Sequence, residues 1–580
     1  TAYDSLTGAK KPLMMTKSSK WYPGGAGGVP AVAGVTGQDL ALTWSMDEEG
    51  PAITDDRQHT NRIVVNDEGM VAGWDYRVGL NVSESRRATG WKSGFYSTPG
   101  IYQGVANGTL NPFGKQDSAG QAYLDSISMN GETYNNSRVR FYGADFNLSR
   151  SLFDLGGGAL AVAVGGDLHR ETYRNEVDTD ADLVAYKVSG KPGSNASGGR
   201  SVAALYAEID APITRSLDLT GAVRVDRFSD FGSTVNPKLS ARWEATKQVM
   251  LRATASTGFR APTLPELYGT PRVLGSTGAN WDDPVMCPSA TPTVAGTGKL
   301  SAAGAALGLD PATVCNTHLT TLSGANPNLD PEKSKTFTAG IVLEPVKNAM
   351  LSFDFWDVRM KGTIAQMTED SIFADPAKFA ALFVRNANGT LQYIDLSRRN
   401  LGGLHTQGVD VTGNYVIPTA SYGKFGVALD GTWVQRYETQ DEAGGAWNDA
   451  VGQPGALATG GTSSNTYIFR LKTNLRFSWA YKNFGATLTQ QFTSHYVDTN
   501  ALPTQQPGQP FYHVISPYKL YNLSTNYKFS EHLKLTVGVN NLLDVNPPLS
   551  NQRLSSRVVF ARNVAKPIGR TYVWRAEYTF

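Results

Sequence analysis

Apolar and polar residues alternate with a period of two along many stretches of this chain. In the segment 217–225, Leu217, Leu219, Gly221, Val223 and Val225 lie on one side and Asp218, Thr220, Ala222 and Arg224 on the other. Successive side chains of a strand point to opposite faces, so the pattern predicts strands with one apolar and one polar face. It recurs with Leu471, Leu475, Phe477 and Trp479 against Arg470, Lys472, Asn474, Arg476 and Ser478. It returns with Leu533, Leu535, Val537 and Val539 against Lys534, Thr536, Gly538 and Asn540. At the end, Tyr572, Trp574, Ala576, Tyr578 and Phe580 alternate with Thr571, Val573, Arg575, Glu577 and Thr579.

These segments come in pairs joined by short connections at Ile213–Ser216, Thr246–Gln248, Pro345–Asn348, Tyr481–Asn483 and Ser530–His532, which predicts antiparallel neighbours. The opposite connections are long: 258–335, 361–405, 440–463, 494–516 and 541–569. Short turns on one rim and long loops on the other are the pattern of an outer-membrane barrel, periplasmic and extracellular respectively. Aromatics gather beside the short turns, at Trp74 and Tyr76, at Trp479, Tyr481 and Phe484, and at Tyr527 and Phe529, as an interfacial girdle requires. The polar strand residues Arg224, Arg242, Arg252, Asp410, Asn474 and Arg476 are expected to face the lumen. DPAKFAALFVRN (Asp375 to Asn386) reads as a short helix in a surface loop, with Phe379 and Phe383 packed on one side.

The expected fold is therefore all-β, a transmembrane antiparallel β-barrel. Counting back from Phe580 gives about seventeen strands starting near Arg57, with one more candidate at Asp39–Met46. Residues 1–56 read as an N-terminal loop region and 57–580 as the barrel. A seventeen-strand set begins and ends in the same direction, whereas bacterial barrels have even strand numbers, so further strands are expected ahead of Thr1. A leader peptide is likewise expected to lie outside these residues.

Composition agrees with turn-rich β structure: charged residues are 18%, and Gly (60), Tyr (25) and Trp (11) are plentiful. No apolar run reaches the roughly 18 to 20 residues of a membrane-spanning helix. The balance of 53 basic against 51 acidic residues, with no basic run, gives no case for a nucleic-acid partner. Cys287 and Cys315 both fall in the longest loop and read as a disulfide in an oxidising compartment, with two free thiols or a metal pair as the alternative. None of the seven histidines has the pairing of a catalytic metal site, and no nucleophile elbow or phosphate loop occurs, so neither an enzyme nor a cofactor is expected.

Three segments carry a resemblance. ATASTGFRAPTLPELYG (Ala253 to Gly269) resembles a hallmark of TonB-dependent transporters, where a barrel strand emerges into a long extracellular loop. NPNLDPEKSKTFTAGI (Asn326 to Ile341) resembles the strand after that loop, and GVNNLLDVNPP (Gly538 to Pro548) the penultimate strand. AGWDY (Ala72 to Tyr76) and NLGGLHTQGVD (Asn400 to Asp410) are weaker likenesses of the same kind. A last strand with Tyr572, Trp574, Tyr578 and a terminal Phe580 resembles the signal read by the barrel-assembly machinery.

The resemblance implies a barrel of 22 strands, about 17–18 of them in this chain, closed by an N-terminal plug that carries a coupling segment. Neither plug nor coupling segment is legible in residues 1–56. It further implies the outer membrane of a Gram-negative bacterium, contact with lipid and lipopolysaccharide, and an energy-coupling TonB complex acting through the plug. The implied activity is active import of a scarce small-molecule or oligomeric nutrient, an iron-siderophore complex first, with carbohydrate, peptide or cobalamin as alternatives. Capture at the extracellular mouth would use loop aromatics, with Tyr268, Trp281, Trp433, Trp447, Tyr496 and Tyr512 as candidates. The rival readings are a passive porin, a surface receptor exploited by phage or bacteriocins, and a soluble all-β binding protein.

Overall fold

The computed structural model describes residues 13–44, 46–177, 195–269, 277–288, 298–453, 467–498, 513–549 and 564–580, and the pairs 2–3, 10–11, 272–273 and 560–561. One sheet dominates. Its long strands are β1 (Ile53–Val71), β2 (Trp74–Ser93), β3 (Thr133–Asp154), β4 (Ala159–Val177), β5 (Ala196–Thr214) and β6 (Leu217–Phe228). They continue as β7 (Gly232–Thr246), β8 (Val249–Arg260), β9 (Glu332–Leu343), β10 (Ala349–Lys361), β11 (Gly403–Thr419) and β12 (Gly423–Thr439). The last five are β13 (Leu471–Tyr481), β14 (Phe484–Thr493), β15 (Tyr518–Lys528), β16 (Leu533–Asn540) and β17 (Thr571–Tyr578). Consecutive strands pair antiparallel throughout, and the order returns from β17 to β1 in a barrel.

The alternation assigns the two faces. Leu80, Ala144, Leu168 and Ala203 oppose one another across β2 to β5, and on that face Leu80, Leu168 and Leu205 are 60%, 64% and 64% exposed. The opposite face carries paired charges, among them Arg242 with Asp218 (2.9 Å) and Arg252 with Asp354 (2.7 Å). Exposed apolar residues outside and polar residues inside are what a lipid-facing barrel needs. Arg224, Arg242, Arg252 and Asp410 accordingly fall on the inner face.

Turns on one rim are tight. Between β1 and β2 only Ala72 and Gly73 intervene, with φ of 49° and 77°, a two-residue turn whose left-handed backbone matches the strand twist. Beside these turns Trp479 stacks parallel to Tyr481 at 6.3 Å and donates Nε1–H to the Tyr422 carbonyl at 2.7 Å. Tyr527 meets Phe529 edge-on at 4.7 Å. Strand length falls from 22 residues in β3 to 8 in β16 and β17. About ten tilted residues cross a bilayer, so the β1–β5 wall extends well beyond it on the loop side.

Seventeen antiparallel strands leave β1 and β17 running the same way. The strand order nevertheless makes them neighbours, so the barrel closes between two strands of the same direction. Both strands are exposed along nearly their whole length, Trp574 to 88%.

Two local expectations are corrected. The segment 375–386 is not the helix; the helix is Glu369–Ala374, capped by Thr368, and Phe379 enters a one-turn 3-10 segment instead. Pro376 explains the boundary, since the residue before a proline is driven from helical backbone, and Asp375 sits at φ −143° and ψ 74°. The candidate strand at 39–46 contributes only Leu40–Leu42, which pairs with Leu13–Met15 outside the barrel sheet.

Candidate functional site

Buried apolar side chains gather above the loop rim, in three lobes. The first joins residues 13–46 to the β2–β3 loop. Met15, Val105, Leu110 and Leu124 are fully buried there beneath the helices Thr98–Ala106 and Ser118–Ser126. Lys20 ties it across to Asp117 at 2.6 Å.

The second lobe fuses the β8–β9 and β10–β11 loops. Arg272–Val273, Thr321–Ser323, Leu391–Asp395 and Phe383–Arg385 form one small four-stranded sheet drawn from both loops. Under it, Leu319, Ile372, Leu382 and Ile394 form an apolar core. Asp283, fully buried, accepts from both Arg385 Nη atoms at 2.7 and 3.0 Å. A disulfide joins Cys287 to Cys315 in this lobe, and a Cβ on Gly298 would lie 2.6 Å from that of Cys315. The third lobe combines the last three loops around Tyr467, Phe469, Tyr496, Ile515 and Ala561.

Below the second lobe the inner wall carries groups of paired polar side chains. His169 Nδ1 lies 2.8 Å from Asp167, which accepts from Arg224 at 2.8 Å. Arg200, nearly buried, donates to Glu171 at 3.0 Å and to the Pro262 carbonyl at 2.7 Å. Arg260 bridges Glu332 at 2.7 Å and Glu266 at 2.9 Å. Glu266 closes a capping box with Thr263 at the start of the helix Leu264–Tyr268. Burial alone would raise the Glu266 carboxyl, but the Arg260 guanidinium and the Thr263 N–H hold it below its ordinary value of 4.5. Glu332 also accepts from the Ile364 N–H at 2.7 Å, so one carboxylate ties β9 to the β10–β11 loop.

The five aromatic candidates among the described residues do not converge. Tyr268 lies over the inner wall, where a Cβ on Gly198 of β5 would come within 2.1 Å of its ring. Trp281 stacks on Phe373 at 4.4 Å and donates to Glu369 at 3.0 Å inside the second lobe. Tyr496 is 1% exposed in the core of the third, where burial pushes its hydroxyl well above 10. Trp433, opposite Val409 and Leu471, shares the outer, apolar face of the wall. Trp447 stands edge-on to His405 at 6.4 Å, and a Cβ on Gly403, also on the outer face, would touch it. Tyr512 lies outside the described residues. Tyr572, Trp574 and Tyr578 share the outer face of β17, and Phe580, fully exposed, follows it.

A model of the family described as "TonB dependent receptor-like, beta-barrel" matches residues 19–542. The chain belongs to that family. As a TonB-dependent receptor barrel it resides in the outer membrane of a Gram-negative bacterium, and the family's members are transporters, not enzymes. Among solved structures, the siderophore receptor PirA from Acinetobacter baumannii is similar at 14% identity and a TM-score of 0.58, covering 90% of this chain and 63% of that one. PirA from Pseudomonas aeruginosa gives 15% identity and 0.51 over 91% and 65%. The pyoverdine receptor FpvA from Pseudomonas aeruginosa gives 11% and 0.54 over 91% and 62%. The receptor barrel described here thus spans less than two thirds of these relatives' length, and at such identities the likeness establishes the fold. No curated protein matches the sequence.

Among the described residues no group of three His, Cys, Asp or Glu side chains is placed to hold a metal. What the mouth of this TonB-dependent receptor offers is an inner wall of paired charges beneath rigid lobes. Alternation identified Arg224 and Arg252 as inward, but it gave no sign of Arg200, Arg260, Glu266 and Glu332. Several of their partners lie far off in sequence, Glu332 72 residues from Arg260 and 32 from Ile364, and Arg200 Nη1 ends on the backbone carbonyl of Pro262, 62 residues away.

Proposed function

We propose that this barrel belongs to a receptor that captures an iron-siderophore complex at its extracellular mouth and releases it to the periplasm. Energy would come from a TonB-type complex acting on a plug domain, both outside these 580 residues. The observation that supports the reading is the mouth: lobes stiffened by a disulfide, an ion pair and apolar cores surround an inner wall of polar groups. Rigid surroundings with convergent polar groups are how a site orients a large polar ligand. That several structural neighbours are siderophore receptors favours this substrate class over carbohydrate, peptide or cobalamin. We assign entry into the membrane to the barrel-assembly machinery, with the aromatic face of β17 as its handle.

The test is uptake of radio-iron supplied as a panel of ferric siderophores by cells producing the full receptor, with and without a working TonB complex. Saturable uptake lost without TonB is the expected result. Uptake indifferent to TonB would replace the reading by a passive pore. Saturable, TonB-dependent uptake of another nutrient, with none of iron, would overturn the substrate class alone.

A further inference from the structure

Two sides of the lumen differ in how their cations are neutralised. From β6 to β8 the inward arginines Arg224, Arg242, Arg252 and Arg260 each hold a carboxylate at 2.9 Å or less. On β13 to β17 and the neighbouring β1, the inward cations Lys472, Arg476, Arg575 and Arg62 are exposed, and among the described residues none pairs with a carboxylate. Lys472 lies over the Phe469 ring at 4.8 Å, and Arg62 donates to the Asn81 side chain at 3.2 Å. Carboxylates on this side are either taken or set apart. Lys534 holds Glu577 at 3.2 Å and Arg87 holds Asp56 at 3.0 Å, while Asp430 of β12 opposes Asn474 and Glu68 opposes Arg77 near the β1–β2 turn.

The inward direction of the four cations follows from register. Trp479, Ala486, Thr525, Val537 and Trp574 form one row on the outer face. The alternate residues therefore face the lumen: Arg476 opposes Thr489, and Arg575 opposes Thr536. Lys472 and Arg476 share one face of β13, and Arg62, opposite Ser83, is out of phase with the outward pair Val65 and Leu80. Between the cations the lumen-facing groups are uncharged, among them Thr487, Thr489, Gln491, Asn522, Asn526 and Thr536.

The cations also descend. Lys472 stands at the loop end of β13, Arg476 midway along it and Arg575 toward the turn end of β17. Arg476 and Arg575 are separated by four strand spacings, roughly 19 Å across the sheet, too far to share one counter-ion. Charges of one sign on a low-dielectric wall focus their field into the enclosed space and concentrate solutes of the opposite sign there. A guanidinium adds a fork of donors that matches paired anionic oxygens.

We propose that the inner wall of β13–β17 and β1 is a cationic track that guides a negatively charged ferric complex, with catecholate or carboxylate oxygens on its surface, from the mouth toward the periplasm. The wall of β6–β8 has its charge consumed by internal ion pairs and serves as the fixed side of the lumen. The track rests on the import reading and adds to it the charge of the cargo and the side of the lumen that the cargo follows.

The test supplies radio-iron as a ferric tris-catecholate, as ferric citrate and as a neutral ferric tris-hydroxamate to cells producing the full receptor. Binding in the cold is measured apart from uptake at growth temperature. A negatively charged complex should be taken up in preference to the neutral one. R476Q/R575Q should lower its maximal uptake rate at least fivefold with half-saturation of binding unchanged, and R476K/R575K should keep most of the rate. Thr489→Asp with Thr536→Asp, which sets a carboxylate opposite each arginine, should lower the rate as the glutamine pair does. An unchanged rate in these variants, or preference for the neutral complex, overturns the track and leaves import standing. Lost binding in the cold, or entry of a large hydrophilic antibiotic, would show that the arginines hold the plug instead and overturns the track as well. If the glutamine pair does not assemble as a folded barrel, the aspartate pair decides. Uptake of iron from none of the three complexes overturns the import reading and the track with it.

Discussion

Tyr496 has its hydroxyl buried with no hydrogen-bond partner among the described residues, packed 4.3 Å from the ring of Tyr467. A buried donor left unmade costs stability, so Tyr496→Phe is expected to leave the third lobe as stable or up to about 1 kcal/mol more so. Thermal unfolding and ligand titration of the variant check this, and a loss of binding would return Tyr496 to the ligand site. Asp283 is the opposite case. Arg385→Ala would strand its buried carboxylate, a change that typically costs about 3–5 kcal/mol, and amide exchange across 281–287 should rise accordingly. Glu266 gives the pH dependence. Its folded value lies below 4.5, so its stabilisation is complete above 4.5 and is lost as pH falls through the folded value. Exchange at Leu267 and Gly269, corrected for intrinsic rate, should therefore be flat from neutral to pH 5 and increase below 4.5. These residue roles were poorly legible beforehand, because whether a loop aromatic ends in a core or at a surface depends on which loops meet. Trp433 is different: the row Phe425, Val427, Leu429, Gly431 was there to place it on the lipid side.

At the scale of elements the sequence was more informative. A strand advertises itself through its own alternation, which needs no knowledge of its partner, and a two-residue turn such as Ala72–Gly73 fixes the neighbour. The helix before Asp375 shows the limit of local reading: Pro376 suits either the first turn of a helix or the residue after its end, and Thr368 with Glu369 and Asp370 decided for the latter. The disulfide element closes a loop with a sequence separation of 28. Loop-closure entropy puts its contribution near 3–4 kcal/mol. Cys287→Ser/Cys315→Ser should thus make the second lobe protease-sensitive while leaving the heat-modifiable gel mobility of the barrel intact. Loss of the barrel itself would show that lobe and wall fold as one unit.

For the whole molecule, the assignment of faces is the claim on which most else depends. Trp243, Trp479 and Trp574 lie on the outer face and Trp356 on the inner. In vesicles of brominated lipid, single-tryptophan variants retaining any of the first three should be quenched strongly, and the one retaining Trp356 weakly. A reversed order would turn the barrel inside out and remove the basis for the paired charges assigned to the lumen. The strand count, too, was legible as about seventeen, since each strand is counted from local signals. How β1 and β17 are flanked was legible only as a parity argument, because it concerns pairing and not pattern.

The small sheet shared by the β8–β9 and β10–β11 loops has a bearing on the order of assembly. Thr321 pairs with Ile394 and Leu322 with Asp395, more than 70 residues apart, and those residues approach each other only when β8 through β11 stand side by side. Contacts of such sequence separation form late. The two cysteines, by contrast, need only the loop between β8 and β9. A nascent receptor can therefore carry its cross-link before its wall is zipped, whereas the shared sheet can exist only afterwards. An antibody against that sheet would recognise finished barrels and pass over chains still in transit, making this corner of the mouth a built-in marker of completed biogenesis.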